Sequence, residues 1–133
     1  MIKFKYDQNG LMPAVIQNVK TGEVLMLAYV NRRAIKKMLS IGKTCFYSRS
    51  RKTYWIKGES SGHIQHIKKI LTDCDRDTLL IKVKQTGGAC HLGYKSCFVH
   101  RLNRKGKINK IEQRKVFDPN KIYGPSNDSK AFP

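Results

Sequence analysis

Ala14-Val-Ile-Gln-Asn-Val19, Lys20-Thr-Gly22 and Glu23-Val-Leu-Met-Leu-Ala-Tyr-Val30 follow one another without interruption, and their reading decides the fold class. The first and third segments are rich in Val, Leu and Tyr, which suit a pleated, half-buried surface. The glycine-bearing triplet between them suits a turn, so the stretch predicts a β-hairpin. Directly after it, Asn31 has the side chain of a helix N-cap. Arg32–Ile41 then sets Ile35, Met38, Leu39 and Ile41 to one side, before Gly42 supplies a stop.

Strand character returns beyond the helix. Thr44–Ser48 and Tyr54–Lys57 read as short strands around the basic loop Ser48–Lys52. After the turn Gly58–Gly62, His63–Leu71 reads as a half-buried strand, Thr78–Gln85 as another, broken at Thr86–Gly88, and Ser96–Arg101 as extended chain. Strands outnumber helices, so the expected fold is α+β, a curled, largely antiparallel sheet with one main helix. At 133 residues the chain is expected to be one domain. Residues 1–102 form its body, and 103–133 a basic, polar extension frayed at its end.

No apolar run approaches the ~20 residues that span a bilayer, and the amino terminus lacks the apolar stretch of a signal peptide. A cytoplasmic protein is the expectation. There the four cysteines are better read as metal ligands or reactive thiols than as disulfides.

The net charge of +18 draws anions, either nucleic acid or a small phosphorylated molecule. Residues 1–100 hold 18 Lys or Arg but only six acids, and three of those six are Asp73, Asp75 and Asp77. Like charges packed this densely in a carboxylate-poor chain call for a compensating cation. Carboxylates at alternate positions gather oxygen ligands for Mg²⁺ or Ca²⁺. An EF-hand is excluded, since Thr78 and Lys84 stand where its glycine and glutamate belong. If the segment is extended, the aspartates face one way and Cys74 the other, which points to two different metal sites. Cys90 and Cys97 add two thiols, and the absence of any CxxC pair speaks against zinc fingers and ribbons. Three thiolates around Zn²⁺ would leave one open position, the mark of a catalytic site whose bound water loses a proton near pH ~7. Cys45, between Thr44 and Phe46, belongs to the core.

Other residues suit the same chemistry. His91, adjoining Cys90, is a candidate acid or base, or else a fourth ligand. His63 is a candidate contact to a phosphate or a base, whereas His66 and His100 read as structural. Arg49 and Arg51, among serines, have the fork geometry that matches phosphate oxygens. Trp55 suits either purine stacking or the core.

Taken in order, Tyr47-Ser48-Arg49-Ser50-Arg51, Trp55-Ile56-Lys57-Gly58-Glu59-Ser60-Ser61-Gly62-His63, Asp73-Cys74-Asp75-Arg76-Asp77, Ala89-Cys90-His91 and Ser96-Cys97-Phe98 resemble the blocks of phosphoribosyl-AMP cyclohydrolases. The resemblance runs from about Leu11 to Arg101. It implies a homodimer with zinc shared across the interface, Cys90 and Cys97 from one subunit and Cys74 from the other, and Mg²⁺ on Asp73, Asp75 and Asp77. The implied substrate is phosphoribosyl-AMP, with water activated at the zinc adding to C6 and the N1–C6 bond breaking. His91 would shuttle the proton, while Arg49, Arg51, Trp55, Lys57, Ser61 and His63 would contact the substrate. Leu92 stands where the family often has threonine, so a hydroxyl role is lost there. The chain is too short for the pyrophosphohydrolase domain fused to many relatives, which implies the single-function form.

Two other classes fit less well. A basic zinc-containing nucleic-acid-binding protein accounts for the charge but not for three acids in five residues, which would repel phosphate unless metallated. A zinc nucleobase deaminase needs H-x-E and P-C-x-x-C, and neither occurs.

Overall fold

The computed structural model describes residues 1–123. The hairpin forms as β1 (Met12–Asn18) and β2 (Val24–Val30), paired antiparallel with a bulge at Ile16/Gln17. The Asn18 carboxamide oxygen accepts the N–H groups of Lys20 and Thr21 at 2.9 and 3.1 Å and so folds the turn. Asn31 caps α1 (Arg32–Ile41) by accepting the Ala34 N–H at 2.9 Å, and Gly42 ends it at φ 70°. The helix packs chiefly against β2 and the strand that follows it. Its buried stripe is therefore narrow: Ala34, Ile35 and Met38 are buried, whereas Leu39, expected on the same side, is 61% exposed.

Next come β3 (Cys45–Ser48) and β4 (Thr53–Ile56), an antiparallel pair by themselves, then β5 (Gln65–Thr72) and β6 (Leu79–Gln85). The main sheet has the order β2-β1-β6-β5. Its central pair, β1 with β6, is parallel. This corrects the expectation of one curled, largely antiparallel sheet: the fold is mostly β, a mixed four-stranded sheet with two separate hairpins. Parallel neighbours need a long crossover, and here α1, β3, β4 and β5 all lie between the two strands in sequence. Alternate residues of the central pair, Ala14, Ile16, Leu79, Ile81 and Val83, are buried with Phe46 and Trp55 in one core.

The extended stretch expected at Ser96–Arg101 is mostly irregular. The strand proper is β7 (His100–Leu102), and it pairs with β8 (Ile108–Ile111). The segment beyond Leu102 thus turns back on the body, and a short helix α2 (Pro119–Tyr123) follows. The fraying expected at the carboxyl terminus falls outside the described residues. No helix among the described residues is long and apolar enough to cross a membrane.

Candidate active site

The loop after β6 builds a thiol pair. Cys90 donates its N–H to the Tyr94 carbonyl at 3.1 Å, and Gly93 returns an N–H to the Cys90 carbonyl at 3.1 Å, closing a tight turn. Cys97 is held from the other side: its N–H donates to the Leu25 carbonyl at 2.7 Å. The buried Ser96 hydroxyl bonds the Val24 and Leu25 carbonyls at 2.8 and 3.2 Å and accepts the Phe98 N–H at 3.0 Å. Edge strand β2 therefore fixes Cys97, while the turn fixes Cys90. The two side chains hydrogen-bond to each other. That bond holds Cys90 well below the usual thiol range, with backbone N–H groups of Leu92 and Tyr94 and the nearby His91 helping. It pushes Cys97 up, with burial adding to the rise. One thiolate and one thiol in contact, ringed by N–H donors, are a donor set that suits a soft metal ion.

Lys57, just past the end of β4, is buried beside this pair. Burial lowers its pKa, and the two sulfurs partly restore it. His91 is half-buried next to Cys90. Cys74 is exposed, and no group of three or more ligands among the described residues joins it to Cys90 and Cys97.

Asp73, Asp75 and Asp77 do converge, with one ligand oxygen from each within 4.8 Å of the others. They meet because the segment is a turn and not, as the alternation argument assumed, an extended strand. Asp73 Oδ1 accepts the N–H groups of Asp77 and Thr78 at 3.0 and 3.3 Å, and Arg76 sits at φ 61°. Desolvation raises the Asp73 pKa, but hydrogen bonds from Asp77, Thr78 and Arg76 outweigh it and leave the carboxyl low. Asp77 is raised, first by its hydrogen bond with Asp73. Two carboxyls competing for one proton are what a divalent cation would relieve.

The remaining candidates spread over the adjoining surface. Arg49 lies 3.8 Å over the Tyr29 ring and lines a cavity of about 440 Å³ with Ser48, Ser50 and Trp55. Arg51 is exposed and outside that lining, its N–H donating to Ser48 Oγ at 3.2 Å. Trp55 packs on Phe46 with ring centroids 5.3 Å apart and also borders a second cavity of about 450 Å³ beside α1. Ser61 Oγ accepts the His63 N–H at 3.1 Å. The His63 ring meets Phe117 edge-on at 4.5 Å, and its Nδ1 is buried with no hydrogen-bond partner among the described residues.

Sequence reasoning missed Phe117 and Tyr123. Beyond β8 the chain crosses the cysteine loop, Val116 donating its N–H to the Gly93 carbonyl at 2.6 Å, and α2 follows with Tyr123, whose hydroxyl burial makes harder to ionise. No spacing signal marks these residues. Only the glycines of the loop hint that another segment lies close.

Comparison with known proteins places the chain in a family. Residues 26–99 match the family model of phosphoribosyl-AMP cyclohydrolase. The phosphoribosyl-AMP cyclohydrolase of Pelotomaculum thermopropionicum is 55% identical over 120 residues, covering 90% of this chain and 92% of that protein. Those of Chlorobaculum tepidum and Desulforapulum autotrophicum are each 51% identical, covering 90% and 92% of this chain and 87% and 99% of their own. The aligned region takes in the thiol pair, the aspartate turn and the basic loop, and the chain belongs to the phosphoribosyl-AMP cyclohydrolase family.

Proposed function

We propose that this cyclohydrolase of histidine biosynthesis opens the adenine ring of phosphoribosyl-AMP at a centre shared between two copies of the chain. Cys90 and Cys97 of one copy and Cys74 of the partner subunit would hold Zn²⁺. The observation that carries the reading is the hydrogen-bonded cysteine pair beside Lys57 and His91. Two thiols prepared for a metal, with the third exposed in a separate loop, favour completion by another chain. Exposed Phe98, Leu102, Ile108 and Ile111 near the cysteine loop form the kind of apolar surface that a second subunit covers. Four free cysteines suit a reducing cytoplasm.

Zinc, when bound, supplies a water that loses its proton near neutral pH. The chain's own residues do the rest. His91 takes a proton from the attacking water and returns it to ring nitrogen N1 as the N1–C6 bond breaks. The ring opens without release of ammonia. Arg49 and Arg51 present guanidinium forks to phosphate, Trp55 offers a ring edge at the cavity for the base, and Lys57 meets negative charge arriving at the cysteine pair. Ser61 and His63 orient the substrate from the neighbouring loop. Asp73, Asp75 and Asp77 would hold Mg²⁺, which binds or orients phosphate. The +18 charge then concentrates a small phosphorylated substrate and not nucleic acid.

The test is ring opening of phosphoribosyl-AMP by the purified protein, followed by absorbance, with zinc counted on the same sample. Turnover with about one zinc per chain supports the reading. Zinc without turnover in the presence of Mg²⁺ would make the thiol site structural and overturn it.

A further inference from the structure

The segment from Gln113 to Phe117 has no place in the chemistry so far, yet it is built onto the cysteine loop. Gln113 Nε2 donates to the Ser96 and Phe98 carbonyls at 3.3 and 3.2 Å, and its Oε1 accepts the Ser96 N–H at 3.2 Å. Lys115 forms a β-bridge with Tyr94, and the Val116 N–H donates to the Gly93 carbonyl at 2.6 Å. Gly88 makes room for the crossing, since a Cβ there would stand 2.8 Å from the Phe117 ring. The strap thus fixes where that ring lies, and the ring meets His63 edge-on with centroids 4.5 Å apart.

His63 is tied through its backbone but not through its imidazole. Its N–H donates to Ser61 Oγ at 3.1 Å, and its carbonyl accepts from Gln85 Nε2 at 3.2 Å. In the ring, Nδ1 is buried with no hydrogen-bond partner among the described residues. Gly87 borders the other edge. A Cβ there would stand 2.6 Å from His63 Cδ2 and 2.8 Å from Nε2, so a bare α-carbon is what leaves that edge uncovered.

We infer that Phe117 is a positioning residue of the active site, holding the His63 imidazole with Nδ1 turned inward and Nε2 as the nitrogen left to the substrate. An edge-on ring contact restrains the imidazole without occupying either of its nitrogens. A group fixed before the substrate arrives loses less freedom on binding, so affinity rises without a new contact. Phe117 has no polar atom to offer and acts through His63 alone. The effect belongs in KM more than in kcat, because His63 orients the substrate and is not the group moving protons.

The inference rests on the reading of His63 as a substrate contact, and one set of variants separates the two. Phe117→Leu, His63→Ala, the double variant, His63→Gln and His63→Asn are compared with the native chain for KM, kcat and bound zinc. Phe117→Leu should raise KM about twofold to tenfold, the worth of an edge-on ring pair, with kcat and zinc near native. The double variant should match His63→Ala, because without the imidazole the phenyl ring has nothing to position. His63→Gln, whose amide nitrogen reaches the place of Nε2, should keep a lower KM than His63→Asn, whose amide nitrogen reaches only that of Nδ1. If His63→Ala leaves KM unchanged, the reading of His63 falls and the inference with it. If His63→Ala raises KM and Phe117→Leu does not, or the effects multiply in the double variant, the inference fails and His63 stands. A lower KM in His63→Asn than in His63→Gln would overturn it by giving the substrate the inward nitrogen. Loss of zinc in Phe117→Leu would overturn it too, by showing that the phenyl ring holds the cysteine loop instead.

Discussion

Cys90 and Cys97 hydrogen-bond to each other across a loop tied at one end to its own turn and at the other to the Leu25 carbonyl of β2. The sheet edge and the thiol pair are therefore one structure. A strand edge that would otherwise offer free carbonyls to another chain is spent on aiming a sulfur.

Removal of one sulfur should separate this pair from the other cysteines. Cys97→Ala should abolish bound zinc and turnover together, since a site short of a ligand loses metal affinity by orders of magnitude. Cys45→Ala should leave both largely intact. Cys45 is buried in the core, and burial holds its thiol neutral. Metal analysis beside a turnover assay reads the difference, and equal losses would mean the ligands are misassigned.

Ser96→Ala tests the anchor and not the ligand. The substitution removes the hydroxyl from the Val24 and Leu25 carbonyls and strips the Phe98 N–H of its acceptor. Buried groups left unpaired cost about 1–3 kcal/mol. The midpoint of thermal unfolding should fall by several degrees, and zinc should bind more weakly although every sulfur is still present. A variant as stable as the native chain would show that the β2 edge does not hold Cys97.

Asp75→Ala should lower activity and blunt its dependence on Mg²⁺ while zinc stays bound. The three carboxylates converge on one point, and Cys74 within their turn is exposed rather than part of that group. Titration of activity with Mg²⁺, alongside a zinc count, checks both halves. Loss of zinc with Asp75 would mean that the two metal sites depend on each other.

The parts of this fold legible in sequence are the local ones. Gly22, Asn31 and Gly42 announce a turn, a cap and a stop that act within a few residues, and the structure places all three there. The parallel pairing of β1 with β6 left no local trace, because Ala14–Asn18 and Leu79–Val83 are apolar enough to pair in either direction. The aspartates stood out by composition, yet their convergence comes from a turn closed by Asp73 Oδ1, which spacing alone could not distinguish from alternation. Lys57 stands out in sequence only through the family resemblance, as a substrate contact, and only the fold shows it buried beside two sulfurs. Val116 reaches the Gly93 carbonyl from the far end of a polar segment, a contact between positions that no periodicity relates.

The proposal that zinc is shared between subunits makes a sharper prediction than any single variant. Cys74→Ala and Cys97→Ala should each be inactive alone. Mixed after gentle dissociation, they should regain activity, because a hybrid dimer joins the intact Cys90 and Cys97 of the first variant to the intact Cys74 of the second. The other site of that hybrid lacks both sulfurs and stays dead. With random exchange of subunits half the dimers are hybrids, each with one working site of two, so recovery should approach about one quarter of native turnover. Zinc should return in the same proportion, since metal and activity share the ligands. A site completed within one chain predicts no recovery at any mixing ratio. Activity and bound metal measured across a series of ratios, with a maximum at equal amounts, therefore decide whether Cys74 crosses between subunits.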